Sequence, residues 1–218
     1  MLRRAVSAEF CGALLLTAAV VGSGIMGERL AGGNAAVALL ANTAATVAAL
    51  AALIAMFGPM SGAHFNPVIT LIALARRELP AGRSLTYVLV QVAGCCAGAM
   101  LANLMFELPL VTASAHARTG GAQWLSEVVA TAGLVLVAFT SPTISAAAWR
   151  VPAWIGAAYW FTASTSFANP AITLGRSLSD TFAGIRPADA PGFIAAQLVG
   201  GVLGGLLLRV FAERKAIQ

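Results

Sequence analysis

An all-α membrane protein, with six transmembrane helices and two re-entrant half-helices in an inverted repeat, is the fold class this sequence predicts. Three observations carry that prediction. The chain is 59% hydrophobic and 10% charged with a mean hydropathy of +0.86, whereas soluble domains carry about 25% charged residues. An Asn-Pro phrase occurs twice in apolar surroundings, as Asn66-Pro67-Val68-Ile69-Thr70-Leu71 and Asn169-Pro170-Ala171-Ile172-Thr173-Leu174. Landmarks around the two phrases also recur in the same order: Glu9 and Glu127, then the phrases, then Gln91-x-x-Gly94 and Gln197-x-x-Gly200.

The 218 residues suffice for six helices of about 20 residues with short connections. A single domain over 1–218 is expected, with repeat one at about 1–107 and repeat two at about 122–218. The first apolar span, 8–27, follows Arg3-Arg4 and has the outline of a signal peptide. Because Ala8-Glu9 answers Ser126-Glu127, it is read instead as a retained helix. The second span covers 34–57. Next comes the first Asn-Pro segment, 58–75, too short to cross and broken by Pro and Gly. Asn caps a helix start with its side chain, and proline's fixed φ and missing N–H suit the first helical position. A short helix starting inside the bilayer is therefore expected there. The third span is 84–106, and 107–123 connects the repeats. The fourth and fifth spans are 124–144 and 151–167, the second Asn-Pro segment is 164–180, and the sixth span is 190–212.

Three spans per repeat is an odd number, so the second copy enters the membrane from the opposite side. In such folds the broken segments meet near the midplane, where the substrate path runs. Basic residues set the orientation. With the N-terminus inside, Arg3, Arg4, Arg76, Arg77, Arg83, Arg150, Arg209, Arg214 and Lys215 are cytoplasmic, against Arg29, Arg118, Arg176 and Arg186 outside. Both termini are expected in the cytoplasm, with the chain a multi-pass protein of the cell inner (plasma) membrane. The net charge of +5 and pI near 9.9 follow from this loop bias, so nucleic acid is not an expected partner. Cys11, Cys95 and Cys96 lie in apolar spans without metal-ligand spacing and are read as packing residues; no metal or cofactor is expected. Gly94–Gly98 and Gly200–Gly204 carry small-x-x-x-small spacing suited to close helix crossings. The aromatic residues Trp154, Tyr159, Trp160 and Phe161 of the fifth span are read as lipid or subunit packing, with pore lining as the alternative.

The run Ser61-Gly62-Ala63-His64-Phe65-Asn66-Pro67-Val68, the triplet Asn169-Pro170-Ala171, the paired glutamates and the two Gln-x-x-Gly elements resemble the aquaporin and glycerol-facilitator (major intrinsic protein) family over nearly the whole chain. The resemblance implies a homotetramer in the lipid bilayer, each subunit with its own pore for water and small neutral solutes. The half-helices would meet at their Asn-Pro ends, with Asn66 and Asn169 offering N–H donors beside positive helix termini that disfavour cations and protons. It gives Glu9 and Glu127 the task of accepting bonds from the re-entrant backbone. His64 either lines the inner vestibule or holds its loop.

One departure from the family pattern stands out. Many members have Arg three residues after the second Asn; here that position is Ile172. Spacing from the two Asn residues maps the other filter positions to Thr46, Ala157 and Ser166. A filter of that composition predicts passage of glycerol, urea or arsenite as its neutral trihydroxide. Arg176, one turn beyond Ile172, is a candidate for the outer mouth, either facing the pore or pairing with Asp180 away from it. An ion-coupled secondary transporter is the alternative function, since such proteins also use inverted repeats and broken helices. An enzyme is not expected, because no nucleophile has a visible base partner.

Overall fold

The computed structural model describes residues 2–213. Arg214 and Lys215, counted above among the cytoplasmic cations, lie outside the described residues. Among these residues there are eight helices: α1 (Leu2–Leu30), α2 (Ala35–Ser61), α3 (Pro67–Ala75), α4 (Ala81–Met105), α5 (Gly121–Thr140), α6 (Ile144–Phe161), α7 (Pro170–Arg176) and α8 (Ala190–Glu213). At 1.5 Å per residue α3 and α7 extend only about 14 and 10 Å, well short of the roughly 30 Å hydrocarbon core. They are the two half-helices. Of the six long helices, α1, α2, α4, α5 and α8 are apolar and long enough to cross a membrane by themselves. The sixth, α6, has 18 residues and carries Arg150 and Pro152 within it.

Local chemistry explains the starts. Asn34 Oδ1 accepts from the Ala36 and Val37 amides at 3.0 and 3.3 Å and caps α2. Thr143 Oγ1 does the same for α6 through Ala146 N at 3.1 Å. The half-helices begin as the Asn-Pro reading expects. Asn66 is extended and accepts from Val68 N, Asn169 is extended and accepts from Ala171 and Ile172 N, and a proline follows each.

Small residues set the long crossings. α1 runs along α4, and α5 along α8. A Cβ on Gly94 would lie 2.6 Å from the Phe10 carbonyl, and one on Gly98 would strike Leu14 O. In the second half, Gly200 and Gly204 would meet Val128 O and Ala132 O at 2.5 and 2.7 Å. The glycines let two backbones approach directly, which substitutes in lipid for the hydrophobic drive available in water. The half-helices reach across to the other repeat: Gly175 of α7 abuts the Cys95 carbonyl of α4, and Gly201 of α8 abuts Val68 of α3. Buried Cys95 is thus part of a packing surface.

The fifth span needed the largest adjustment. Helix α6 starts at 144 and stops at Phe161, placing Arg150 inside it, and 162–168 is an irregular loop. From the sequence, the span is expected to continue through this hydroxyl-rich stretch to 167. Its backbone instead turns through the left-handed region at Thr165, Ser166 and Ala168, with φ of 58°, 50° and 48°.

Candidate channel

Each re-entrant loop is held open by a buried glutamate. Glu9 Oε1 accepts from Ser61 Oγ (2.6 Å) and His64 N (3.0 Å), and Oε2 from Phe65 N (2.8 Å) and Gln91 Nε2 (2.7 Å). In the second half, Glu127 Oε1 takes Ser164 Oγ (2.6 Å) and Phe167 N (2.9 Å), and Oε2 takes Ala168 N (2.8 Å) and Gln197 Nε2 (2.6 Å). The two sets correspond donor for donor. Four bonds from neutral donors satisfy each carboxylate at zero exposure, so it occupies the interior without a cationic partner. These bonds also offset the cost of left-handed φ at Ala63, Phe65, Ser166 and Ala168, residues with a Cβ that ordinarily avoid that region.

The glutamines continue inward. Gln91 Nε2 also donates to Thr70 Oγ1 (3.0 Å), and His64 Nδ1 lies 3.0 Å from the same hydroxyl. Gln197 Nε2 donates to Thr173 Oγ1 (2.9 Å). Phe167 occupies in the second loop the place His64 holds in the first. The histidine is therefore tied to its loop by Thr70, with its ring edge-on to Tyr87 at 5.6 Å, and it also borders the cavity.

The two loops meet through a reciprocal pair of bonds. Asn66 Nδ2 donates to Ala168 O and Asn169 Nδ2 to Phe65 O, both at 2.8 Å. Each amide carries two N–H groups and one acceptor oxygen. The oxygen caps its own half-helix, and one N–H reaches the opposite loop. The second N–H is unclaimed among the described residues, and both side chains border one cavity.

That cavity holds about 450 Å³. Ser141, Thr143 and Ile144 border it at the α5–α6 turn. It passes Ile54, Leu50, Val151 and Ile155, then Asn66 and Asn169, and extends to Thr46, Tyr159, Ser166, Ile172 and Arg176. Most of the wall is aliphatic, with polar side chains at the α5–α6 turn (Ser141, Thr143), at His64, at the Asn pair and beyond it. Pro67, Val68, Pro170 and Ala171 lie behind it, buried in the half-helices.

Three sequence expectations require correction or extension here. Ala157 is exposed and faces away from the cavity. Ile155 and Tyr159, four residues apart, share the inward face of α6, and position 157 falls on the opposite side. Counting back from Asn169 through an irregular loop displaced the register by two residues. Tyr159, assigned to packing by the sequence, takes the wall position, its hydroxyl 3.4 Å from Thr46 Oγ1. The rest of the aromatic group does pack: Trp154 lies over Gly133 of α5 and donates to Ala130 O at 2.9 Å, while Trp160 and Phe161 are exposed.

Arg176 makes no pair with Asp180, whose carboxylate accepts from Ala115 N at 2.8 Å. It is 2% exposed, donates through Nε to the Ala183 carbonyl, and lies over the Phe167 ring with Cζ 3.3 Å from the centroid. A second buried arginine carries no signal in the sequence. Arg118, in the connector between repeats, donates to the carbonyls of Gly184 (2.8 Å), Phe182 (3.3 Å) and Ser164 (3.5 Å), with Cζ 5.1 Å from the same ring. Asp189 receives the Arg118 amide at 2.9 Å, and its bond from Arg186 holds its carboxyl below the usual range.

Comparison with known proteins agrees with this architecture. The family model described as "Major intrinsic protein" matches residues 1–163. Aquaglyceroporin AqpS of Rhizobium meliloti (strain 1021) is 51% identical over 210 residues, covering 95% of this chain and 90% of that one. Aquaporin Z of Bradyrhizobium diazoefficiens is 29% identical over 224 residues, covering 93% and 87%. Among solved structures, the aquaglyceroporin from Plasmodium falciparum superposes with a TM-score of 0.73 over 94% of this chain and 95% of that one; its 16% identity makes it a likeness of fold. Family match, near full-length relatives and paired half-helices lead to one conclusion: this chain belongs to the major intrinsic protein family.

Proposed function

We propose that the chain is a passive transmembrane channel for water and small neutral solutes, with glycerol, urea and neutral metalloid hydroxides as its cargo besides water. Channels of this family are not enzymes, and the protein is a multi-pass membrane protein. The observation that carries the reading is the pair of amides at the meeting of the half-helices: each keeps one N–H unclaimed among the described residues while its other groups are locked. A hydroxylated solute replaces part of its hydration with those donors and lays its carbon or metalloid face on the aliphatic wall. The helix termini behind the amides repel cations and fix the central water as an acceptor.

Thr46, Tyr159, Ser166 and Ile172 form the proposed filter, with Arg176 at the mouth beyond it. Isoleucine at 172 leaves the narrow point without a cation and with an apolar side, which suits solutes larger than water. Glu9, Glu127 and His64 support the loops. The functional unit is proposed to be a homotetramer in the inner membrane, both termini cytoplasmic, in accord with the bias of Arg and Lys toward one face.

Shrink-swell light scattering on proteoliposomes tests this. The wild type is expected to pass glycerol and urea as well as water. Ile172→Arg narrows and charges the filter and is expected to slow glycerol about tenfold, a barrier change of about 1.4 kcal/mol, with a smaller effect on water. A wild type that passes water and excludes glycerol, urea and arsenite overturns the proposal.

A further inference from the structure

The outer mouth contains a cation whose binding capacity the fold leaves unused. Arg176 has five N–H donors, and only Nε has a protein acceptor among the described residues. Its side chain is 98% buried yet borders the cavity, so its terminal nitrogens have cavity contents as their remaining partners. None of the carboxylates Asp180, Asp189 and Glu127 bonds to it among the described residues. Asp180 holds Ala115 N, Asp189 holds Arg118 N and Arg186, and Glu127 is saturated by four neutral donors. Arg118 adds a second positive charge over the same Phe167 ring and so makes the potential there more positive. Ser166, 2% exposed, is another residue of the cavity wall, and its buried hydroxyl has no hydrogen-bond partner among the described residues, so a rotation about χ1 turns it to an occupant without breaking a bond. Tyr159 and Thr46 place two more hydroxyls in the same wall.

A planar guanidinium edge with two free donors matches a planar oxyanion in bidentate fashion. The hydroxyl of Ser166 supplies another donor, which spherical halides use less well than a multi-oxygen anion does. We propose that Arg176 and Ser166, with Tyr159 nearby, form a binding site for a small planar monovalent oxyanion, of the size of nitrate or formate, at the mouth next to Ile172. The occupant is held there and not conducted: one turn inward on the same face of α7 stands Ile172, which offers no hydrogen bond, and an anion moving inward would leave the guanidinium for an apolar-walled passage. The site thus acts as a competitive plug on neutral-solute flux. The plug rests on the channel reading above; the binding site does not.

Two measurements separate the two. In detergent, nitrate or formate at ionic strength held constant with gluconate is expected to raise the melting temperature of the wild type in a saturable way. Arg176→Gln is expected to lose that rise, and Ser166→Ala to need a severalfold higher concentration for the same rise; the second variant decides the matter if the first does not fold. In proteoliposomes, nitrate at its dissociation constant is expected to remove about half of the glycerol permeability, and in Ser166→Ala about a sixth at the same concentration if its dissociation constant rises about fivefold. A wild-type melting temperature indifferent to nitrate overturns the site, as does an equal rise in wild type and in either variant. Nitrate binding without loss of flux, in protein that conducts glycerol, overturns the plug. Protein that conducts no neutral solute but shows the melting shift defeats the channel reading and leaves the site standing.

Discussion

Glu127 shows how one residue serves both stability and the passage. Its two oxygens take four donors from one loop and one neighbouring helix, and the backbone they hold carries Ser166 and Asn169 to the cavity wall. Glu127→Gln keeps the shape but replaces one acceptor oxygen with a donor. Either Ser164 and Phe167 N, or Ala168 N and Gln197, then face an N–H. A buried donor left without an acceptor costs about 1–3 kcal/mol, so the variant is expected to unfold at a clearly lower temperature in detergent and to conduct less glycerol per folded molecule. Glu9→Gln is expected to match it, because Ser61, His64, Phe65 and Gln91 repeat the arrangement. A large loss in one variant and none in the other would contradict the equivalence of the two sites. The wall residues are less symmetric: Phe167 replaces His64, and only the second half brings arginines to that position.

Helix crossings follow from glycine spacing. Gly204→Leu puts a branched side chain where a Cβ alone would lie 2.7 Å from Ala132 O and 2.8 Å from Val135 Cβ. Overpacking of this kind costs about 1–3 kcal/mol, and α5 and α8 are expected to separate, seen as a lower melting temperature. Gly82→Ala in the first turn of α4, where nothing lies within 4 Å, is expected to cause no loss. These contacts were legible in the sequence because small-x-x-x-small spacing has one physical use between membrane helices. The half-helices were legible for a similar reason: Asn-Pro encodes a start, and a start inside an apolar run has to lie within the bilayer. The end of α6 was not. Thr162–Ala168 follows an apolar run and has no Gly or Pro to mark a stop, and the reason it is not helical sits 37 to 41 residues away at Ser126 and Glu127, which take three of its amides and the Ser164 hydroxyl. Periodicity cannot report such a distant partner, and the misplaced end put Ala157 on the cavity wall where the structure has Tyr159. Arg118 was hidden for the same reason, since the carbonyls that bind it come from loops distant in sequence.

At the scale of the whole molecule, the passage belongs to neither repeat alone. Its wall draws on α1, α2, α5 and α6, both loops and both half-helices, and its midpoint is a joint between the halves. A fixed joint of that kind predicts downhill movement only. In proteoliposomes with an imposed proton or sodium gradient, glycerol is expected to equilibrate and not accumulate; concentration above the external level would identify coupled transport instead. The reciprocal bonds from Asn66 to Ala168 and from Asn169 to Phe65 also bear on how the protein is made. The first loop leaves the ribosome about a hundred residues ahead of its counterpart. Until Ala168 and Asn169 arrive, the Phe65 carbonyl and the Asn66 amide lack their native partners. Biosynthesis therefore includes an interval in which the nascent first half must be sheltered from lipid, and chains truncated before residue 169 are expected to be substrates for membrane quality control.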